Sequence, residues 1–444
     1  MSDDKPGAAP AVAPAHVPIS VSRVVAASFI GTTIEWYDFF LYGTAAALVF
    51  NKLFFPTLDP LVGTMASFGT YAVGFFARPI GGIVFGHFGD RVGRKSVLVT
   101  TLMLMGLGTF LIGVLPTYDQ IGVAAPALLV ILRFIQGFGV GGEWGGAVLM
   151  VVEHGHRGRR GLNASWVQAG VPAGSLLANA VFTLFSLLPS EDFLSWGWRI
   201  PFLFGIALLG VGLFIRLQIF ESPLFAQVRD RKQQAAVPFF EVLKRYPRNV
   251  LLSIGARMAE NGGFYIFSVF VLTYATVNLE LPRTVILNCL LIATVVQFLS
   301  IPLFGALSDA VGRRPVYLAG AVALGAFSFP FFWMVNTGSP TLIGLAISIA
   351  LIAQSAMYAP QAAFFSELFG TDVRYTGASI GYQLASPLAG GLAPLICVSL
   401  LEWANGRTWG VAVYLIILCV ITLISVWLAT ETHRIDLGDL DEPA

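Results

Sequence analysis

Apolar residues in this chain come in long, nearly unbroken runs, without the strict alternation of a half-buried strand. A helix needs about 20 predominantly apolar residues to cross a bilayer. Twelve runs reach roughly that length: 22–50, 60–85, 97–115, 126–152, 162–187 and 199–219, then 249–277, 284–305, 316–336, 340–365, 377–401 and 408–430. The one long polar interruption, Glu221 to Arg248, separates two sets of six. The pattern predicts an all-α polytopic membrane protein with an N-terminal bundle over 21–220, a linker over 221–248 and a C-terminal bundle over 249–430. Polar tails are expected at 1–20 and 431–444. The first is Pro- and Ala-rich, lacks the charged-then-apolar layout of a signal peptide, and reads as a disordered tail.

Composition narrows the class. Of 444 residues, 56% are hydrophobic and 11% charged. Soluble domains carry about 25% charged residues, so a soluble enzyme is excluded, and disorder needs the opposite balance. A net charge of +1 leaves no basic field for nucleic acid. Cys289, Cys397 and Cys419 sit inside apolar runs and none is in a CxxC pair, so no disulfide framework or metal site is expected. No histidine lies in the middle of a run. There is no GxxxxGK[ST] phosphate loop and no K⁺-filter sequence. No cofactor is expected. With the N-terminus inside, 18 of the 26 Lys and Arg residues fall in cytoplasmic segments, which places both termini in the cytoplasm.

The chain repeats itself. GHFGDRVGRK (86–95) follows the second run and GALSDAVGRR (305–314) the eighth, both G-x-x-x-D-x-x-G-R-[KR]. Glu153 precedes Arg160 after the fourth run as Glu367 precedes Arg374 after the tenth. Two six-helix bundles of parallel relation follow. Gly86 and Gly93 suit a tight turn and close helix approach. Asp90 is read as a cap for the next helix, and Arg94 as reaching the carboxylate of Glu153. Arg91 completes the motif, and Asp309, Gly312 and Arg313, with Glu367, are the counterparts. Such pairs would hold one conformation shut and break in another. The positive-inside rule alone explains the arginines but not the repeated Asp and Gly spacing.

The doubled loop resembles the signature of the major facilitator superfamily. GTTIEWYDFFLYG (31–43), FFARPIGGIVFGHFGDRVGRK (75–95), RFIQGFGVGGEWGGA (133–147) and QAGVPAGSLLAN (168–179) resemble its metabolite:proton symporter branch, and within it the shikimate-type carriers. The resemblance spans about residues 20–430. It implies twelve transmembrane helices in two pseudo-symmetric bundles, a central cavity, and proton-driven uptake of a small polar metabolite, such as shikimate or a dicarboxylate, by alternating access. A monomer in the inner (plasma) membrane is expected, with substrate, proton and lipid as its only partners. A carrier without proton coupling is the alternative, and a non-transporting sensor or membrane enzyme a distant one.

Ionisable residues inside a bilayer cost several kcal/mol and are functional candidates. Glu35 and Asp38 lie three apart on one helical face, with Tyr42 continuing the stripe. Two carboxylates away from water repel each other and lose solvation, so one is expected to carry a proton near neutral pH. Asp38 is the first candidate. Arg133 is its expected counter-ion, because the superfamily's first and fourth helices line the cavity, and Gln136 lies one turn on. Glu143 suits a structural tie or a proton path equally. Arg78 is read chiefly as pairing with Glu35 or Glu143, and otherwise as a substrate contact. Arg257 and Glu260 are expected to neutralise one another, leaving Asn261 and Tyr265 for substrate. Gln354, Tyr358 and Gln361 share a face that either lines the cavity or joins helices. Trp166 and Gln168 are further substrate candidates.

Overall fold

The computed structural model describes residues 20–58, 60–218, 221–230 and 237–437, so the tail expected over 1–20 lies outside the described residues apart from Ser20. Among the described residues no strand occurs. One-turn segments aside, the N-terminal half contains α1 (Val21–Ala45), α2 (Pro60–Arg91), α3 (Arg94–Val114), α4 (Ala124–His154), α5 (Arg160–Ser186) and α6 (Arg199–Leu217). Two short helices, α7 (Pro223–Asp230) and α8 (Pro238–Arg245), lie in the connecting segment. The C-terminal half contains α9 (Pro247–Tyr265, continued by a helix at Val271–Val277), α10 (Arg283–Val311), α11 (Arg313–Val335), α12 (Pro340–Glu367), α13 (Arg374–Ala385, continued by a helix at Ala393–Trp403) and α14 (Trp409–Leu428).

Ten of the described helical stretches are long and apolar enough to cross a membrane. The first and seventh spans, which hold Glu35, Asp38, Arg257 and Glu260, complete the two sets of six. Both pass through one π-helical turn, Ala46–Phe50 after α1 and Ile266–Phe270 after α9. α13 does the same at Ser386–Gly391 before continuing to Trp403. Such turns break the regular ladder and recur at functional sites.

The internal repeat is structural. In the first half α1 packs on α5, α2 on α4, and α3 on α4 and α6; in the second, α10 packs on α12, and α11 on α12 and α14. Small residues set the closest approach: a Cβ on Gly81 would overlap the carbonyl of Phe138, and one on Gly137 would overlap Gly74. This is how helices associate where the solvent is itself apolar. The bundles meet along α5 against α10 and α12, and along α2 and α4 against α13.

Candidate functional site

At the Lys- and Arg-rich end the two copies of the repeated loop cross over. Asp90 does not cap the helix that follows it, as its spacing had implied. Its carboxylate accepts the backbone N–H groups of Tyr375 (3.2 Å) and Thr376 (2.9 Å) and the Thr376 hydroxyl (2.8 Å), in the first turn of α13 in the opposite bundle. Asp309 accepts the N–H groups of Gly161 and Leu162, both at 2.8 Å, in the first turn of α5. Each motif aspartate thus satisfies orphan N–H groups at a helix start of the other half. Gly86 is needed for this approach, since a Cβ there would stand 2.9 Å from Thr376 Cα.

The helices that follow the loops are capped by residues the sequence reading passed over. Glu221 accepts the N–H groups of Arg94 (3.0 Å) and Lys95 (3.2 Å), and Glu431 those of Arg313 (2.9 Å) and Arg314 (3.0 Å). The next residue in each case, Ser222 or Thr432, hydrogen-bonds Glu153 or Glu367. The signal was a Glu-Ser and a Glu-Thr pair at equivalent places after the sixth and twelfth runs. Gly93 (φ 132°) and Gly312 (φ 107°) take backbone angles that favour glycine, and a Cβ on Gly93 would overlap the Glu221 carboxylate.

Charges complete this layer. Arg94 lies 3.4 Å from Glu153 and donates to the Thr371 carbonyl across the interface at 3.1 Å. Arg374 reaches Glu153 from the other bundle at 3.3 Å. In the second copy Arg313 sits 3.2 Å from Glu367 and 2.7 Å from Asp309, and Arg160 approaches Glu367 at 3.9 Å. Arg91 lies exposed at the end of α2. The stretch after α14, expected as the start of a polar tail, is docked here as far as Leu437. Leu437 is buried, and the Ile435 carbonyl accepts from Arg160 at 2.8 Å.

Midway through the molecule a small cavity lies between the bundles. Arg257, Glu260, Asn261 and Tyr265 of α9 line it, with Gln354 and Tyr358 of α12. Trp36, Val171, Gln297 and Tyr382 close it. It measures about 20 Å³, room for a water but no metabolite. Arg257 is 3.4 Å from Glu260 and lies over the Tyr382 ring, 3.0 Å from its centroid. Gln354 donates to Glu260 at 3.3 Å and accepts from Gln297 at 2.9 Å. Gln297, an amide inside the eighth run, was another missed member. Gln361 lies one turn from the cavity, bridging Arg257 and the Tyr317 hydroxyl. The Asn261 amide nitrogen has no hydrogen-bond acceptor.

Gln168 and Trp166 are elsewhere. Gln168 accepts the Trp144 indole N–H at 2.7 Å and donates to the Tyr358 carbonyl at 3.0 Å, so its amide ties the two bundles together. Trp144 stacks on Tyr382 with centroids 3.7 Å apart. Trp166 lies towards the loop-bearing end beside Phe29, in a second cavity.

The N-terminal bundle holds a different set of charges, and three expected pairings do not occur. Asp38 and Arg133 are not ion-paired: neither Asp38 oxygen has a hydrogen-bond partner. The Arg133 guanidinium instead sits over the rings of Tyr42 (4.3 Å), Phe39 (4.7 Å) and Tyr71 (4.8 Å). Its one side-chain hydrogen bond goes to Gln136 at 3.4 Å, and Gln136 in turn donates to Thr109 at 2.7 Å. Tyr42 donates to Thr70 at 2.6 Å. Arg78 pairs with neither Glu35 nor Glu143. It lies over Phe39 (4.4 Å), Phe75 (4.9 Å) and Trp36 (5.3 Å). The partner of Glu143 is Arg216 of α6, in a bidentate pair whose Arg216 Nη1 is 2.9 Å from Glu143 Oε2. Gly31 leaves the room, because a Cβ there would overlap that guanidinium. Arginine stacks on aromatic faces by cation–π attraction, but rings accept few of its N–H groups. Nε and Nη2 of both Arg78 and Arg133 are buried without an acceptor.

Comparison with known proteins places this geometry. Residues 28–394 match the Major Facilitator Superfamily. The shikimate transporter of Escherichia coli (strain K12) is 43% identical over 416 residues, covering 93% of this chain and 95% of that protein. The inner membrane metabolite transport protein YhjE of the same organism is 42% identical, covering 94% and 96%. The Escherichia coli proline/betaine transporter is 34% identical, covering 92% and 83%. Among solved structures, the proton:xylose symporter XylE bound to 6-bromo-6-deoxy-D-glucose superposes with a TM-score of 0.77 at 17% identity, covering 95% of this chain and 98% of that one.

Proposed function

The chain belongs to the major facilitator superfamily and is a multi-pass membrane transporter, and from that premise we propose that it imports a small organic anion together with protons. The observation that carries this reading is the pair of buried arginines, Arg78 and Arg133, stacked on the shared ring of Phe39 with no carboxylate paired to either. A buried guanidinium whose Nε and Nη2 lack acceptors is costly, and a substrate carboxylate supplies planar, bidentate acceptors. Shikimate, which the 43%-identical relative is named for, is a hydroxylated cyclic carboxylate of this kind. The polar layer of Asn261, Gln354 and Tyr358 suits its hydroxyl groups.

The Lys- and Arg-rich end is cytoplasmic in this reading, so the crossed aspartate caps seal the cytoplasmic side of this conformation. Asp38 carries the coupled proton, with Glu35 and Glu143 as the next candidates. A protonated Asp38 needs no counter-ion, which leaves Arg133 ready for the substrate anion; the ionised form re-pairs with Arg133 and ejects it. The test is uptake into proteoliposomes with and without an inward proton gradient, offering shikimate, a dicarboxylate and a betaine. Accumulation of an organic acid only with the gradient, lost in Arg133→Ala, is expected. Accumulation of the betaine alone, or uptake indifferent to the gradient, overturns the anion or the coupling part of the reading respectively.

A further inference from the structure

The second cavity, of about 510 Å³, lies at the loop-bearing end between α1 and α5. Ser22 and Ala26 are four residues apart and share a face of α1. Their small, exposed side chains leave a furrow beside Val25, Phe29 and Trp166. The floor is aromatic: Phe29 and Trp166 meet edge to face with centroids 5.9 Å apart, and both lie against Phe298 of α10, at 6.3 and 6.4 Å. The polar end is formed by His156, Arg159 and Asn163, at the junction where α4 ends and α5 begins. His156 and Arg159 are exposed. The furrow is therefore apolar along the part that runs into the membrane and basic where the helices emerge from it.

We propose that this furrow binds one anionic phospholipid, its phosphate against Arg159 and His156 and an acyl chain along Ala26, Phe29 and Trp166. Charge complementarity selects the occupant. At the depth of a span end, the abundant molecule with an anionic head and an apolar tail of this width is a lipid, and basic side chains there attract acidic head groups. A soluble substrate would leave the apolar length of the furrow unmatched. The site has a mechanical consequence. Trp166 belongs to the N-terminal bundle and Phe298 to the C-terminal one, so the acyl chain bears on the α5–α10 contact, which must slide when the bundles rock.

Native mass spectrometry of the purified full chain, titrated with phosphatidylglycerol and with phosphatidylcholine of matched acyl chains, tests this. The wild type should retain one phosphatidylglycerol about tenfold more tightly than phosphatidylcholine. Arg159→Gln, at an exposed position that leaves the fold intact, should weaken phosphatidylglycerol about fivefold, the factor one basic residue contributes at a membrane surface, and leave phosphatidylcholine unchanged. Ala26→Leu, which narrows the furrow, should weaken both. Equal retention of the two lipids, or no effect of Arg159→Gln, overturns the proposal. So does phosphatidylglycerol binding that appears only after deletion of residues 2–18, which would make the furrow the seat of the chain's own N-terminal segment.

Discussion

Replacing Asp90 by asparagine keeps the side chain's shape and removes its charge, and the structure says what that costs. All three donors to Asp90, at 2.8–3.2 Å, belong to the opposite bundle. These bonds therefore exist only while the loop-bearing end is closed. A hydrogen bond to a charged group contributes about 1.5–3 kcal/mol, and a negative charge at a helix N-terminus about 0.3–1 kcal/mol more. An asparagine offers one neutral acceptor oxygen and turns an N–H₂ group towards a donor, so at least one bond is lost and the others weaken. A loss of about 2–3 kcal/mol from the closed state follows, which lowers the closed-to-open ratio by about 30- to 150-fold. Ser379 reports it: the side chain is buried in the interface against Gly145. In a background lacking the three native cysteines, Ser379→Cys should react slowly with a maleimide, and at least about tenfold faster once Asp90→Asn is added. Transport turnover should fall while substrate affinity stays within about threefold, because Asp90 shifts populations and touches no ligand. Unchanged labelling together with lost substrate binding would refute the cap argument. Asp309→Asn should reproduce the effect, since its two acceptor contacts to α5 are equivalent.

Asp38→Asn should retain substrate binding and equilibrium exchange yet lose accumulation driven by a proton gradient; a mutant that still concentrates substrate moves the coupling site to Glu35 or Glu143. Arg78→Lys, which keeps charge but loses the planar fork, should weaken an organic-acid substrate at least about tenfold in a binding titration and leave the unfolding temperature nearly unchanged. Glu143→Gln leaves the buried Arg216 uncompensated and should destabilise the N-terminal bundle by about 3–5 kcal/mol, read as a lowered unfolding temperature that Arg216→Met partly restores. Glu431 sets an acid limit. Burial pushes its carboxyl up, but the N–H groups of Arg313, Arg314, His433 and Thr432 outweigh this and hold it below the usual range. Its contribution is present above the unfolded value of about 4.3 and is lost as pH falls through the lower folded value, so Glu431→Gln should flatten the loss of thermal stability on acidification below that unfolded value.

The bundles and their repeat were legible because both are written locally. A span is a run of apolar residues, and the doubled motif is a fixed spacing within ten positions. The close approach at Gly86 was legible for the same reason, since the glycine recurs at a fixed place in the motif. The charges were found, and Arg94 with Glu153, Arg313 with Glu367 and Arg257 with Glu260 pair as expected, but others were mispaired. Sequence proximity assigned Asp90 to the next helix, the superfamily's cavity-lining helices assigned Arg133 to Asp38, and Arg78 was given a carboxylate as the nearest charge of opposite sign. Partners in a bundle are set by helix rotation and crossing instead. A residue or two around the helix decides whether an arginine meets a carboxylate, as Arg216 does, or the face of Phe39, as Arg78 and Arg133 do.

The crossing of the aspartate caps also explains why the motif has to appear twice. A cap made within one half would stabilise that half in every conformation and could not bias the transport cycle. Glu221 and Glu431 do the local work: each caps the helix after its own loop, from its own half of the chain. That leaves Asp90 and Asp309 free to reach across. Because each aspartate takes the helix start that the other bundle leaves orphaned at α13 or α5, opening strips each carboxylate of its cross-bundle donors, leaving it only the arginine of its own loop, and exposes an unsatisfied helix end on both sides of the pseudo-symmetry axis. Water re-solvates both on opening, so the net bias is a few kcal/mol. That is large enough to favour closure and small enough for substrate binding to reverse it.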